Sequence, residues 1–299
     1  MTRQGRCHRN AGRAARPERA RVLELGCAHA VNLVPMAFHL PEAQFLGIDR
    51  SPGQIERATR RVAALALHNL ELAQADVLDV DLGERRFDYI IAHGLYSWVP
   101  EPVRTRVLAL CRAHLCDTGV AYLSYNAMPA WGIRGAVRQA LLEAVDLHAE
   151  PPEQLRRARA VLERLEAMEP LAGTAEGALL AAELEGLRDK PDAYLLHEYL
   201  VPHSRAFYLR EVVERAEQAG LRWLGDVAPT GLPPRVMRAT RQALRPLARD
   251  PLVVEQLADI VGFRQFRASL LVPAHARIDP APDLAGLLAE GHLAAPPGS

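Results

Sequence analysis

Lysine and aromatic residues are scarce in this 299-residue chain. All but one of its 36 basic side chains are arginine, the exception being Lys190, and aromatic residues make up only 5% of the sequence. The 36 acidic groups balance the basic ones, but residues 1–21 hold seven arginines and one acid, a net charge of 7 − 1 = +6. Nucleic-acid binding requires clustered positive charge on the folded domain. Since the rest of the chain is net acidic, no nucleic-acid partner is predicted.

Long apolar runs and paired cysteines are also absent. No stretch of about 18 apolar residues occurs, so neither a transmembrane helix nor a membrane partner is predicted. The charged N-terminus has no apolar stretch after it, so no secretory signal is expected. The four cysteines form no CxxC pair and no metal-ligand spacing, and they lie at Cys7, Cys27, Cys111 and Cys116. Isolated thiols of this kind predict a cytoplasmic protein without a metal site.

The glycine motifs of the phosphate-binding folds are incomplete. A dinucleotide site needs the pattern GxGxxG after its first strand, and the corresponding turn here has only Gly26. No GKS or GKT sequence is present, so a phosphate loop is not supported either. The sequence therefore disfavours both a nicotinamide oxidoreductase and a P-loop enzyme.

What the sequence does contain is a regular alternation of short β-rich runs and helical patterns. Five strands are predicted, at Arg21–Leu25, Gln44–Asp49, Leu70–Ala73, Phe87–Ala92 and Val120–Tyr125. Short strands that alternate with helices predict a parallel sheet covered on both faces. The predicted fold class is therefore α/β, with a Rossmann-like sheet and helical insertions.

The chain divides into five predicted regions. These are a disordered arginine-rich arm at 1–20, a core at 21–130, a helical insertion at 131–206, a return to the core at 207–272 and a disordered tail at 273–299. The return comprises a helix at Leu209–Ala219, a strand at Leu221–Val227, a second helical stretch at 233–263 and a last strand at Arg267–Val272. The tail is rich in proline, alanine and glycine, with one short helical pattern at Leu284–Ala289.

Small and acidic residues follow the predicted strands at the edge where open α/β sheets bind ligands. The first strand contains Glu24 near its end and leads into Gly26, Cys27 and Ala28, the second ends at Asp49, the third leads to Asp76 and Val77, and His93 follows the fourth. Asp49 can accept hydrogen bonds from both hydroxyls of a ribose. Asp76 can accept one from an adenine amino group while Val77 packs on the ring. A tight turn or a helix N-cap would explain each residue alone, but their joint order favours a nucleotide-type cofactor.

The ELGxA sequence after the first strand, together with Asp49 and Asp76, resembles the class I S-adenosylmethionine-dependent methyltransferases. Four longer stretches narrow the resemblance: VLELGCAHAVNLVPMAFHL at Val22–Leu40, FDYIIAHGLYSWVP at Phe87–Pro100, VAYLSYNAMPAWGIR at Val120–Arg134 and YLLHEYLVPHSRAFYLREVV at Tyr194–Val213. They are similar to bacterial methyltransferases with a methyltransferase regulatory domain, which include the rickettsial protein-lysine methyltransferases of outer-membrane proteins. The resemblance covers about residues 21–272.

This resemblance implies a methyltransferase core, S-adenosylmethionine as cofactor and a helical regulatory domain, here placed at 131–206. It also implies that Asn32, which matches an asparagine of the family, joins the strand-end residues in binding the cofactor. The family usually has glycines where this chain has Ala30 and Val31. A β-branched valine would resist a positive φ if one is needed there. A non-catalytic, methyltransferase-like regulator or binding module is therefore the alternative hypothesis.

Several polar and aromatic residues cluster at the ends of the fourth and fifth strands. They are His93, Tyr96, Trp98, Ser124, Tyr125, Asn126 and Trp131. Methyl transfer mainly requires alignment of an uncharged nucleophile with the methyl group. A tyrosine hydroxyl or an asparagine carbonyl can orient an amine, and a histidine can accept its proton. His93, Tyr96, Tyr125 and Asn126 are therefore the predicted catalytic residues, although packing against the adenine stays open for His93 and pocket lining for Tyr96.

The main hypothesis is thus a cytoplasmic S-adenosylmethionine-dependent methyltransferase that acts on a protein side chain or a small-molecule amine. The net acidic body favours a basic acceptor, but only over short range, because surface charge is screened beyond about 8 Å at physiological salt. The sequence does not indicate an oligomeric state.

Overall fold

The structure is a computed structural model and describes residues 14–168, 173–227 and 234–277. Its strands are β1 Arg21–Leu25, β2 Gln44–Asp49, β3 Leu70–Gln74, β4 Phe87–Ala92, β5 Leu115–Asn126, β6 Leu221–Asp226 and β7 Phe266–Pro273. Its helices are α1 Leu33–His39, α2 Pro52–Ala64, α3 Glu101–His114, α4 Trp131–Ala144, α5 Pro151–Ala167, α6 Ala175–Arg188, α7 Asp192–Glu198, α8 Leu209–Gln218, α9 Pro234–Leu244 and α10 Pro251–Val261. The strands form one sheet in the order β3-β2-β1-β4-β5-β7-β6, with β7 antiparallel to its neighbours. The predicted α/β class with a Rossmann-like sheet is confirmed.

Two predicted elements differ in extent from those observed. Strand β5 begins at Leu115 rather than Val120, because a register shift lets the strand continue through polar residues that look like a turn in the sequence. The stretch predicted as one helical region at 233–263 contains two helices, α9 and α10. Asp250 separates them, because its side chain accepts a hydrogen bond from the backbone N–H of Leu252 at 2.9 Å and so starts α10.

The predicted disorder at both ends of the chain was wrong for the residues nearest the sheet. Pro17–Arg19 form a 3-10 turn and Ala20 is fully buried. The hydroxyl of Tyr89 donates a hydrogen bond to the carbonyl of Ala15 at 2.6 Å. At the other end, the N–H of Ala274 donates to the carbonyl of Gly220 at 3.0 Å. Residues 1–13 and 278–299, which include the helix predicted at Leu284–Ala289, lie outside the described part of the chain.

Helices pack on both faces of the sheet, and each face has its own apolar cluster. On one face, Leu23 and Ile90 are completely buried beneath α3 and α8. On the other face, Val22 and Phe45 pack beneath α1 and α2. Successive side chains of a strand point to opposite faces, which explains why the neighbours Val22 and Leu23 belong to different clusters. The carboxyl ends of the parallel strands form the edge between the two layers.

Helices α4 to α7 form a separate apolar cluster beside the sheet. Leu141, Ala158, Leu195 and Tyr199 are its completely buried members. The helical character predicted for 131–206 is therefore present, and each helix contributes its apolar stripe to a common core. None of the helices in the described ranges is long and apolar enough to cross a membrane.

The cysteines correct one expectation and exclude one kind of chemistry. Cys116 is disulfide-bonded, so the prediction of isolated thiols was wrong there. Cys27 and Cys111 are free and buried. Burial raises the pKa of each of these two thiols to about 12. Neither is therefore a thiolate nucleophile near neutral pH.

A buried network of charged residues links β7 to the edge strand β6 and to helix α10. Arg267 is completely buried and donates two hydrogen bonds to the carboxylate of Asp259, at 2.7 and 2.8 Å, and one to Asp226 at 2.5 Å. Ser269 donates a further bond to Asp226 at 2.8 Å. These contacts join α10, β6 and β7. Because an isolated buried charge is very costly, the three elements must assemble together.

We expect Arg267→Met to lower the free energy of unfolding by about 3–5 kcal/mol, because it removes the principal cation from the buried Asp226 and Asp259 and leaves Arg264 alone beside them. The matched change Arg60→Met breaks an exposed ion pair on α2 and should cost less than about 1 kcal/mol. Urea unfolding followed by circular dichroism measures both. Similar small losses in the two variants would contradict a stabilising role for the network.

Candidate cofactor and active site

The turn after β1 is tight and left-handed. The N–H groups of Gly26 and Cys27 both donate to the carbonyl of Ile48, at 2.8 and 3.0 Å, which holds the turn against the end of β2. Gly26, Ala28 and Ala30 have φ angles of +71°, +47° and +57°. A left-handed alanine carries strain of about 1–2 kcal/mol, so the contacts around the turn must hold these residues in place. The turn is therefore formed although two of its left-handed positions are not glycine.

Val31 lies outside this left-handed geometry. The positive φ falls on Ala30, and Val31 does not have one. The side chain of Val31 is half exposed, whereas Ala30 is completely buried. The turn therefore needs no positive φ at Val31, so the resistance expected of a β-branched residue does not arise. The sequence does not reveal which of two adjacent positions needs the unusual angle.

Glu24 is a buried carboxylate beside this turn. It is 1% exposed, and its Oε1 accepts a hydrogen bond from the Asn32 side-chain amide at 2.7 Å. Its Oε2 is buried and has no hydrogen-bond partner among the described residues. Burial raises the pKa of Glu24 to about 7, although the hydrogen bond from Asn32 opposes the shift. Glu24 therefore has one oxygen available to a ligand and titrates near neutral pH.

Asp49 joins three strand ends. Its Oδ2 accepts the N–H of Ala28 and its Oδ1 accepts the N–H of Ser51, both at 2.9 Å. Its backbone carbonyl accepts the N–H of Ala75, after β3, at 3.1 Å. Each carboxylate oxygen can accept a second hydrogen bond. The predicted ribose ligand is thus held in place by backbone contacts that leave part of its accepting capacity for a ligand.

Asp76 and Val77 follow β3 on the far side of Asp49. Asp76 is partly buried, and its Oδ1 accepts the N–H of Leu78 at 2.9 Å, so it stabilises its own turn. Val77 is 7% exposed and belongs to the apolar core. The structure therefore places Asp76 at the predicted edge, but it directs most of the Val77 side chain into the protein interior rather than toward an open site.

His93 stands at the end of β4 with one ring nitrogen engaged. Its Nδ1 lies 3.1 Å from the hydroxyl of Tyr122 and 3.4 Å from that of Ser124, which also accepts the N–H of Gly94 at 2.8 Å. Partial burial lowers the pKa of His93 below its ordinary value. Its Nε2 makes no hydrogen bond to any residue of the described ranges. When Nδ1 carries the proton, the neutral ring presents Nε2 as a proton acceptor.

Two of the predicted catalytic residues lie in the core and not at an open site. Tyr96 is completely buried and Tyr125 is 1% exposed. Both rings pack on Phe207, with centroids 5.3 and 6.2 Å away. The Tyr125 hydroxyl is hydrogen-bonded to Ser269 at 3.1 Å, and burial raises the pKa of Tyr125. A substrate cannot reach these hydroxyls, so the prediction of a catalytic contact is corrected: sequence proximity to strand ends did not reveal which face each side chain occupies.

Asn126 is held at the junction between the sheet and the helical insertion. Its N–H donates to the Ser97 hydroxyl at 2.8 Å and its carbonyl accepts the N–H of Phe207 at 2.9 Å. Its side-chain amide nitrogen is buried and has no hydrogen-bond partner among the described residues. Nearby, the rings of Trp98 and Trp131 pack edge to face at 5.7 Å. Asn126 and this aromatic pair therefore lie at the junction between the sheet and the helical insertion.

Sequence reasoning missed Tyr122, the residue closest to the His93 ring nitrogen. The sequence did contain a pattern that indicates the position of Tyr122, because Tyr122 and Ser124 alternate along β5 with the buried Ala121 and Leu123. Side chains two apart on a strand share a face, so the two hydroxyls were bound to lie together beside the neighbouring strand. The two-residue period of a β-strand therefore predicts that Tyr122 and Ser124 lie on the same face.

Comparison with known families identifies two domains in the chain. Residues 22–119 match the model described as a methyltransferase domain. Residues 191–273 match the model described as a predicted methyltransferase regulatory domain. The second match overlaps the predicted helical insertion only at 191–206, and otherwise it covers the elements that return to the sheet, including β6 and β7.

Similar proteins are known from rickettsiae. An uncharacterized protein of Rickettsia prowazekii (strain Madrid E) is 33% identical over 259 residues, 85% of this chain and 46% of that protein. PKMT2 from Rickettsia typhi is 30% identical, with a TM-score of 0.76 over 93% of this chain and 53% of PKMT2. A second PKMT2 structure, in complex with AdoHcy, gives 29% identity and the same TM-score over 92% and 53% of the two chains. The chain thus spans about half the length of these relatives.

The sheet order, the two matched domains and the likeness to PKMT2 agree with one another. The strand-end residues of the sequence motif also meet at one edge of the sheet. Residues 22–119 thus belong to the methyltransferase domain family and residues 191–273 to the predicted methyltransferase regulatory domain family.

Proposed function

We propose that the protein binds S-adenosylmethionine at the carboxyl ends of β1, β2 and β3 and transfers its methyl group to an amine of a protein side chain or a small molecule. The observation that carries this proposal is a pair of carboxylates around the left-handed turn. Glu24 brings an unpartnered buried oxygen to one side, and Asp49 holds the other side through Ala28. The AdoHcy complex of PKMT2 supports the same ligand class for this chain.

The residues present fit this cofactor group by group. The unpartnered Oε2 of Glu24 suits the ammonium of the methionine portion, since a buried oxygen without a donor gains most from a charge-assisted hydrogen bond. Asp49 suits the ribose hydroxyls and Asp76 the adenine amino group. Because S-adenosylmethionine has no pyrophosphate, the turn need not cradle phosphate, and left-handed alanines suffice at Ala28 and Ala30.

The chemistry on the acceptor side falls to His93. When bound, the cofactor would supply a methyl group carried on a sulfonium: the amine nitrogen would gain the N–C bond, and the electron pair of the broken C–S bond would remain on sulfur. The proton that leaves nitrogen goes to Nε2 of His93, which is neutral near pH 7 because partial burial lowers its pKa. Tyr122 and Ser124 orient the ring through Nδ1. His93 is exposed and can pass the proton to solvent.

The alternative function, a regulator or binding module without turnover, was suggested by Ala30 and Val31 at positions where the family usually has glycines. The turn adopts its left-handed form with Ala30 in place, and Val31 is not among the strained residues. Neither residue therefore favours loss of activity, and the two functions are separated by the transfer experiment below.

Calorimetric titration with S-adenosylhomocysteine tests cofactor binding. We expect the protein to bind, and Asp49→Asn to bind about 10- to 100-fold more weakly, because the amide has one accepting oxygen where the carboxylate has two. Asp79→Asn, a change at an exposed residue of the following turn, should leave the affinity unchanged. Absence of both heat and thermal shift with the unaltered protein would contradict the proposal.

The pKa of Glu24 predicts opposite pH trends for stability and for cofactor affinity. A raised carboxyl pKa means that the folded apo-protein loses stability as pH rises from about 4.5 through about 7, by up to about 3 kcal/mol. Glu24→Gln should remove this loss, so its gain in melting temperature over the unaltered protein should be larger at pH 8 than at pH 6. Affinity for S-adenosylhomocysteine should rise from pH 6 to pH 8 in the unaltered protein only. Parallel pH profiles of the two proteins would contradict this role.

Incubation of cell lysate with radiolabelled S-adenosylmethionine and the protein, followed by size separation, tests transfer. We expect label in an acceptor fraction, and a rate at least tenfold lower for His93→Ala at unchanged S-adenosylhomocysteine affinity, since a general base contributes 10²–10⁴-fold. At saturating S-adenosylmethionine, the rate of the unaltered protein should fall as pH drops and His93 becomes protonated, at a pH below the ordinary histidine range because partial burial lowers the pKa of His93; the His93→Ala variant should lack this fall. Cofactor binding without label in any fraction would instead support the non-catalytic alternative.

A further inference from the structure

One face of the sheet is only partly covered. In β4, β5 and β7, Ile90, Leu123 and Leu271 are at most 1% exposed beneath α3 and α8. Their neighbours Ile91, Tyr122 and Leu270 point to the opposite face and are only partly buried. Strands inside a largely parallel sheet are normally buried on both faces. The described helices therefore leave a strip of this face open beside α1.

The open strip is an apolar groove with one polar end. Its volume is about 710 Å³, within the range of roughly 300–1,000 Å³ typical of small-molecule sites. Val22, Met36, Ile91, Val120 and Leu270 represent its apolar lining. The Tyr89 hydroxyl also lines it but is already bonded to the backbone. No Asp, Glu, Lys or Arg of the described residues lines the groove, so a charged body would lose its hydration there without compensation.

The polar end coincides with the candidate active site. It is formed by Asn32, His93 and Tyr122. Asn32 donates to Glu24 at the cofactor turn, and Tyr122 contacts the His93 ring nitrogen. A molecule lying in the groove would therefore present its head group at His93, with its remaining length against the uncharged sheet face.

We propose that this groove binds the apolar body of a small-molecule amine and places the amine nitrogen at His93. The inference rests on the proposed function and narrows its acceptor to amphipathic amines. Hydrophobic burial in the groove supplies affinity, and the single polar end supplies orientation. The neutral His93 ring receives the proton that leaves the nitrogen when the N–C bond forms.

A series of linear primary amines from butylamine to decylamine, tested with radiolabelled S-adenosylmethionine, examines the acceptor site. We expect kcat/KM to rise about fourfold per added methylene until the groove is filled, from the free energy of burying one CH₂. Leu270→Asp, which puts a charge on the groove wall, should abolish this dependence. Leu224→Asp, the same change at an exposed leucine of β6, should retain it. Transfer that is independent of chain length, or label found only in protein, would overturn the inference.

Two further measurements keep the inference separate from the function on which it rests. S-Adenosylhomocysteine affinity should be unchanged in Leu270→Asp. Absence of cofactor binding in the unaltered protein would instead contradict the proposed function. Calorimetric binding of octylamine needs no turnover and should weaken at least tenfold in Leu270→Asp and in Val120→Phe, which fills the groove without adding charge. Circular dichroism confirms that each variant is folded. Octylamine affinity that is equal in all folded variants would overturn the groove assignment even if transfer occurs.

Discussion

The candidate site depends on the backbone hydrogen bonds that bind the turn after β1 to the end of β2. Ile48 accepts two N–H groups from this turn, and Asp49 accepts a third through its side chain. These bonds hold Ala28 in a conformation that its Cβ disfavours. The same turn brings Glu24 and Asn32 together. Without that anchoring, the two carboxylates would lack a common geometry, and the fit to an ammonium and a ribose would be lost.

The regulatory and methyltransferase regions share one sheet, which matters for how they can influence each other. The regulatory match at 191–273 contains β6 and β7, and the buried Arg267 ties both strands to α10. From β7, Ser269 bonds to the buried Tyr125, and Leu270 contributes to the groove wall. A change in this region would therefore reach the proposed acceptor site through a packed strand rather than across a flexible linker.

The sequence allowed prediction of those features that repeat along the chain or follow from strand order. The alternation of strands and helices placed Asp49 and His93 at one edge, because parallel strands end together. The alternation of strands and helices does not distinguish Tyr125, which lies in the core, from Tyr122, which lies at the site; the two-residue period of the strand is needed for that. The left-handed angle at Ala30 was also out of reach, because long-range contacts impose it against local preference.

The strand order also constrains when this fold can be completed during synthesis. Among the strands of the described residues, β6 pairs only with β7, and β7 is synthesised after β6 although it lies between β5 and β6. Strands β1 to β5 can pair as the chain emerges, whereas β6 has no hydrogen-bonded neighbour until β7 is inserted between β5 and β6. The nascent chain therefore exposes an unpaired strand edge for the time needed to make the segment between them, which is the interval in which misassociation is most favoured.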